Sequence, residues 1–195
     1  MYLRSQALPV PLTDEWLQEG LREVEQHFDA IFADQFLLQG MATTLTLLLL
    51  HAGGAAVAHV GDSRIYHIRG GRILFQTADH SFVGGLVRAG ELTADEATAH
   101  PKKNLITRAV QGSHIAVELE ITLLTDVQAQ DYFFLCSDGV WECLPDAELA
   151  HWLGKASWTN EEKAAQIMAR CGQAARDNFS GYLIQVGGVR WSEVV

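Results

Sequence analysis

Three short turns place an aspartate beside a residue that lets another group approach. They are Cys136-Ser137-Asp138-Gly139, Arg176-Asp177-Asn178 and Thr77-Ala78-Asp79-His80. Asp138 follows the apolar run Tyr132-Phe133-Phe134-Leu135, which reads as a buried strand, and Gly139 removes the side chain next to it. Asp177 lies between a long helical pattern and the last apolar run. Each turn alone is ordinary, since Asp, Asn and Gly are what turns use. Together, carboxylates at the rims of strands from one core are hard oxygen ligands suited to Mg²⁺ or Mn²⁺. The three cysteines form no CxxC pair, so the spacing does not support zinc, and their odd number fits reduced thiols.

Among the eight histidines, His59 falls inside a strand pattern and reads as a satisfied sheet residue. His80, next to Asp79, is the better placed general acid. Gly61-Asp62-Ser63 after a strand resembles the nucleophile block of Gly-Asp-Ser esterases, with Ser63 attacking. Those enzymes need a late Asp-x-x-His, and no Asp in this chain has His three residues on.

The elements that would hold these residues follow from periodicity. Leu17, Leu21, Val24, Phe28 and Ile31 step by three and four, with Asp14, Glu15, Glu19, Arg22 and Glu25 on the other face, which predicts a helix over 14–35 capped by Thr13. Strands are expected at 43–51, 55–60, 64–69 and 72–76 as one antiparallel meander, then at 105–110, 116–123, 131–136 and 182–186, with 189–193 a candidate for one more. Short helices are expected at 81–89 and 93–99, and longer ones at 146–153 and 160–175. Capping boxes Thr93…Glu96 and Thr159…Glu162 open two of them. Strands in blocks separated by helices predict an α+β class with antiparallel sheets. No repeat or linker interrupts residues 1–195, which read as a single domain.

The chain has 195 residues, 48% of them hydrophobic, and a net charge of −10. That balance excludes nucleic acid or an anionic membrane as the main partner, because both repel an acidic protein. The five tryptophans do not interleave with a basic patch and read as packing residues. No apolar run approaches the ~20 residues of a membrane span, and the start shows no secretory h-region. With the thiols, this predicts a cytoplasmic address.

Six motifs in order carry a family resemblance: Gly40-Met41-Ala42-Thr43-Thr44; Ala58-His59-Val60-Gly61-Asp62-Ser63-Arg64; Asp79-His80-Ser81; His100-Pro101-Lys102-Lys103-Asn104-Leu105-Ile106-Thr107-Arg108-Ala109; Ser137-Asp138-Gly139; and Arg176-Asp177-Asn178. With these the chain resembles the metal-dependent protein phosphatases of the PPM, or type 2C, class in their bacterial form. The resemblance implies a four-layer α-β-β-α sandwich of two antiparallel sheets flanked by helices. It also implies hydrolysis of phosphoserine and phosphothreonine in proteins by a water activated on two Mn²⁺ or Mg²⁺ ions, with a third ion possible. Asp138 and Asp177 match ligands of one metal, with Gly139 and Asn178 adjacent. Asp79 matches the holder of the accessory ion, and 80–104 the variable flap beside the site. Asp62 and Arg64 are read as structural, a buried pair or a turn. The opposing enzyme would be a bacterial serine/threonine kinase.

In the family, strands bearing a phosphate-binding Arg and an acidic ligand come first. An Asp-Gly-x-Gly-Gly motif follows, whose Asp bridges the two metals. The one Asp-Gly pair here is Asp138-Gly139. The expectation is therefore a phosphatase domain lacking the family's N-terminal strands, with Met1 inside the helix after the missing motif. A non-catalytic pseudophosphatase or phosphoprotein-binding module is the alternative.

Overall fold

The structure is a computed structural model that describes residues 13–35, 38 and 40–187. The helix α1 (Asp14–Asp34) is followed by β1 (Leu45–His51), β2 (Gly54–Val60), β3 (Arg64–Arg69) and β4 (Arg72–Gln76). Then come α2 (Phe82–Arg88), α3 (Ala94–Ala99), β5 (Glu120–Leu124), β6 (Tyr132–Cys136), α4 (Asp138–Trp141), α5 (Asp146–Leu153), α6 (Asn160–Ala174) and β7 (Gly181–Gln185). One sheet has the order β1-β2-β5 and the other β4-β3-β6-β7, giving the expected α+β class of two antiparallel sheets with flanking helices. The strand expected at 189–193 lies outside the described residues.

The chain groups into two compact units. One takes in α1, Ala58–Gly61 and His80–Thr122; the other takes in Thr46–Val57, Asp62–Asp79 and the described residues from Leu123 on.

The second unit owes its layers to strict alternation. In β6, Tyr132, Phe134 and Cys136 face one side, with Tyr66 and Ile68 of β3 beside them. There they pack against Val140, Leu144, Leu149, Trp152, Leu153, Ile167 and Cys171 from α4, α5, α6 and the turn between. Phe133 and Leu135 point the other way, with Ile65 and Ile184, onto Leu48, Leu50, Ala55, Val57 and Leu124 of the first sheet. β3 and β6 thus bury both faces, which explains their apolar runs instead of a half-polar pattern.

In the first unit, α1 lays Leu21, Val24 and Phe28 on Val60, Val110, Val117 and Leu119. Thr13 caps it, accepting from the Trp16 N–H at 3.3 Å. The stripe rotates near its end: Phe32 is buried and Ile31 is exposed. Glu25, expected on the solvated face, is buried and accepts the Val117 N–H at 3.2 Å. Burial raises its pKa, against the pull of that bond. Gln18 bonds the Val117 carbonyl and the Leu119 N–H, both at 2.9 Å. These side chains satisfy backbone groups that would otherwise extend a ladder, so the strand expected from 116 begins only at Glu120.

Two further expectations are corrected. Residues 42–76 are not one meander: β1 and β2 belong to one sheet and β3 and β4 to the other. The change occurs at Gly61, which holds φ +103, and a Cβ there would lie 2.4 Å from the Thr44 side chain. Residues 105–110 form no strand, because their pairing is split between single bridges, Ser81↔Ile106 and Thr43↔Val110. The capping boxes at Thr93 and Thr159 are both present.

Candidate metal site at the rim of the second sheet

Sheet register brings the aspartates together. In the ladder of β3, β6 and β7, Cys136 pairs with Arg64 on one side and Gly181 on the other. Beyond that last rung lie Asp62 before β3, Asp138 after β6 and Asp177 ahead of β7. The β6–β7 pairing continues past the strands: the Ser137 N–H donates to the Ser180 carbonyl and the Ser180 N–H to Ser137 Oγ, both at 3.0 Å. The two turns touch at Gly139, where a Cβ would lie 2.4 Å from the Asn178 carbonyl oxygen and 3.2 Å from that of Asp177. Glycine is required by this contact, which sets Gly139 against the Asn178 backbone.

Asp138 is half-buried and Asp177 exposed. Each turns one carboxylate oxygen back onto the next backbone N–H, Asp138 to Gly139 at 2.8 Å and Asp177 to Asn178 at 2.7 Å. Burial raises the Asp138 pKa, the Gly139 N–H opposes it, and the Asp177 charge raises it further. The other carboxylate oxygens are left for another partner. Two mutually repelling carboxylates on rigid turns form the hard-oxygen set that a divalent cation neutralises, so the residues fit such an ion.

Asp62, expected to be structural, lies near the Asp138 and Asp79 charges. It is buried, and burial together with the nearby Asp138 and Asp79 charges pushes its carboxyl up to about 6, with Arg64 pulling the other way. The Trp141 indole N–H donates to its carbonyl at 2.9 Å, tying the β3 entrance to α4. The available signal was the Gly-Asp step at a strand end.

The pair expected between Asp62 and Arg64 is corrected: the bidentate partner of Arg64 is Asp79. Arg64 Nε and Nη2 donate to the two Asp79 oxygens at 2.8 Å each. The guanidinium also lies 3.8 Å from the Trp141 ring centre. Asp79 is therefore held beside the Asp62 turn by an ion pair that uses both of its oxygens.

His80 lies in the first unit and is buried. Its Nδ1 accepts the Gly61 N–H at 3.1 Å, which fixes the proton on Nε2, and Nε2 donates to Glu120 at 3.0 Å. Burial lowers the ring's pKa, and the Glu120 bond raises it. His59 stacks on His80 with ring centres 4.4 Å apart and planes 18° from parallel. The ligand atoms of His59, His80 and Glu120 lie within 4.8 Å of one another. However, nearly parallel rings keep their in-plane lone pairs from converging on one ion. A polar cavity of about 490 Å³ lined by Tyr132, Asn160, Lys163 and Gln185 opens at the far end of β6 from Asp138. No described helix is long and apolar enough to cross a membrane.

Comparison with known proteins places the chain by sequence and fold. The family model described as protein phosphatase 2C matches residues 2–171. The serine/threonine phosphatase stp of Listeria innocua is 33% identical over 173 residues, spanning 88% of this chain and 68% of that protein. The structure of serine/threonine phosphatase Stp1 from Staphylococcus aureus superposes with a TM-score of 0.84 at 29% identity, over 94% of this chain and 71% of that one. The catalytic domain of the serine/threonine phosphatase PstP, solved in complex with 2 manganese ions, gives 0.75 at 30% identity, over 88% and 70%. The family-model match, the identity to a curated phosphatase and the superposition lead to one conclusion: the chain belongs to the protein phosphatase 2C (PPM) family of serine/threonine phosphatases.

Proposed function

We propose that residues 1–195 act as one phosphatase domain that hydrolyses phosphoserine and phosphothreonine in proteins, with Asp138 and Asp177 holding a divalent cation. The observation that carries this reading is the meeting of the two turns at Gly139, which fixes both carboxylates at one sheet rim. When bound, Mn²⁺ or Mg²⁺ lowers the pKa of water and neutralises charge on phosphoryl oxygens. The chain's own part is positional. The Gly139 and Asn178 N–H groups orient the two carboxylates. The Arg64–Asp79 pair and the Trp141 bond steady the neighbouring Asp62 turn. Asp79 serves an accessory ion only by sharing its oxygens with Arg64. His80 is given no proton-transfer step in this reading, because both ring nitrogens are engaged.

The acidic charge and reduced thiols support a cytoplasmic site of action against a serine/threonine kinase. The test is hydrolysis of p-nitrophenyl phosphate at saturating Mn²⁺ by the chain and by Asp138→Asn. Changes behind a metal ligand already cost 10–100-fold, so losing the ligand should lower turnover by more than about 100-fold. Equal turnover in the variant would overturn the ligand assignment. Capture of a phosphoprotein by the wild-type chain without hydrolysis would replace catalysis with the binding-module reading.

A further inference from the structure

Cys143, in the turn after α4, and Cys171, in α6, come from separate segments, yet their sulfurs lie 3.6 Å apart. A disulfide needs about 2.05 Å, so small side-chain rotations bring them into bonding distance. The two differ in access: Cys143 is half-buried, whereas Cys171 is buried. Burial and the adjacent Cys143 push the Cys171 thiol up to about 12. The third cysteine, Cys136, points from β6 into the same core cluster as Cys171.

We propose that Cys143 and Cys171 are a reversible oxidation site, closed to a disulfide by a hydroperoxide. The Cys143 thiolate attacks the peroxide, forming an S–O bond while the O–O bond breaks and the leaving hydroxide takes a proton to become water. The Cys171 thiol then gives up its proton and attacks the Cys143 sulfur. An S–S bond forms, the S–O bond breaks, and a second water leaves. Two electrons pass from the two sulfurs to the peroxide, and a dithiol reductant reverses the change.

The position gives the site a consequence. Cys143 Sγ lies 3.2 Å from the Gly139 carbonyl and 3.3 Å from that of Val140, so the thiol hydrogen it loses is a donor to the α4 turn. Gly139 is where the Asp138 and Asp177 turns touch. Oxidation therefore loosens the turn that seats Asp138, a consequence that rests on the function proposed above. The primary readout does not rest on it.

The folded chain is treated with hydrogen peroxide, quenched, denatured and assayed for free thiols, followed by non-reducing peptide mapping. The expected result is one free thiol of the three, a mass lower by two hydrogen atoms, and a linked pair of peptides carrying Cys143 and Cys171. Dithiothreitol restores all three thiols. Cys143→Ser keeps both remaining thiols free, whereas Cys171→Ser stops at a Cys143 sulfenic acid that dimedone labels, with no linked peptides; the half-buried Cys143 position serves if the buried serine prevents folding. Three free thiols after peroxide, a bridge to Cys136, or thiol loss unchanged in Cys143→Ser would overturn the proposal. Linkage with unchanged phosphatase turnover would remove only the coupling to Asp138.

Discussion

Asp131 shows how one carboxylate is made to belong to its fold. It is fully buried, and burial alone would raise its pKa. Instead Arg69 donates to it at 2.6 and 2.9 Å, the Gln128 N–H at 2.8 Å and His67 Nε2 at 2.7 Å, and together they hold it down to about 2. A depressed acid contributes its stability above its unfolded pKa of about 3.9 and loses it as pH falls towards the folded value. The contribution is about 2 kcal/mol at neutral pH, fading between roughly pH 5 and pH 2. Urea unfolding of Asp131→Asn across that range should show the loss at pH 7 and a flatter acid limb. An acid limb as steep as that of wild type would mean that other carboxylates carry the pH dependence. Asp138 has the opposite setting: burial raises its pKa and a like charge adds to the rise, the setting in which the proposed cation would relieve the repulsion.

At the scale of elements, the site depends on a close approach of two chain turns, whereas α6 starts from a capping box. Gly139→Ala sets a methyl group against the Asn178 backbone, so the α4 turn or the lead-in to β7 must move. The expected cost is about 1–3 kcal/mol of stability, with a weaker response to Mn²⁺. Thr159→Ala removes the cap of α6 at the other end of the unit's sheet and should cost about 1 kcal/mol while leaving the Mn²⁺ response intact. Chemical denaturation of both variants with and without Mn²⁺ separates the two effects. A normal Mn²⁺ response in Gly139→Ala would show that the turns need not touch for the carboxylates to act together.

For the whole molecule, a cation that binds the folded chain and not the unfolded one must raise its stability. At 100 times the dissociation constant the gain is about 2.7 kcal/mol, or roughly 5–10 °C for a chain of this size. Thermal melts should rise with Mn²⁺ in the wild-type chain and stay level in the double variant Asp138→Asn/Asp177→Asn. A rise of the same size in the double variant would move the cation elsewhere, with His59, His80 and Glu120 the next residues to replace. This test needs no substrate, so it reads the site apart from the phosphatase activity.

Much of this was legible in local sequence because local physics sets it. The α1 stripe, the two capping boxes, the bounds of α5 and the apolar run of β6 depend on neighbours within a few residues. The Asp138 and Asp177 turns stood out because glycine and asparagine flank them. Tertiary structure decided what local pattern could not. Gly61 sends β3 to a different sheet from β2, since a positive φ and the Thr44 contact are set by packing. Residues 105–110 have strand-like composition but find no continuous partner. Glu25 looks like a surface residue until Val117 offers it an N–H. Arg64 chooses Asp79 over Asp62, and Cys143 meets Cys171, because register and helix packing set those distances across the chain. The sequence singled out the candidate side chains; the pairing of β3, β6 and β7 decided which of them share a rim, because register is a property of strands brought together and not of any one strand.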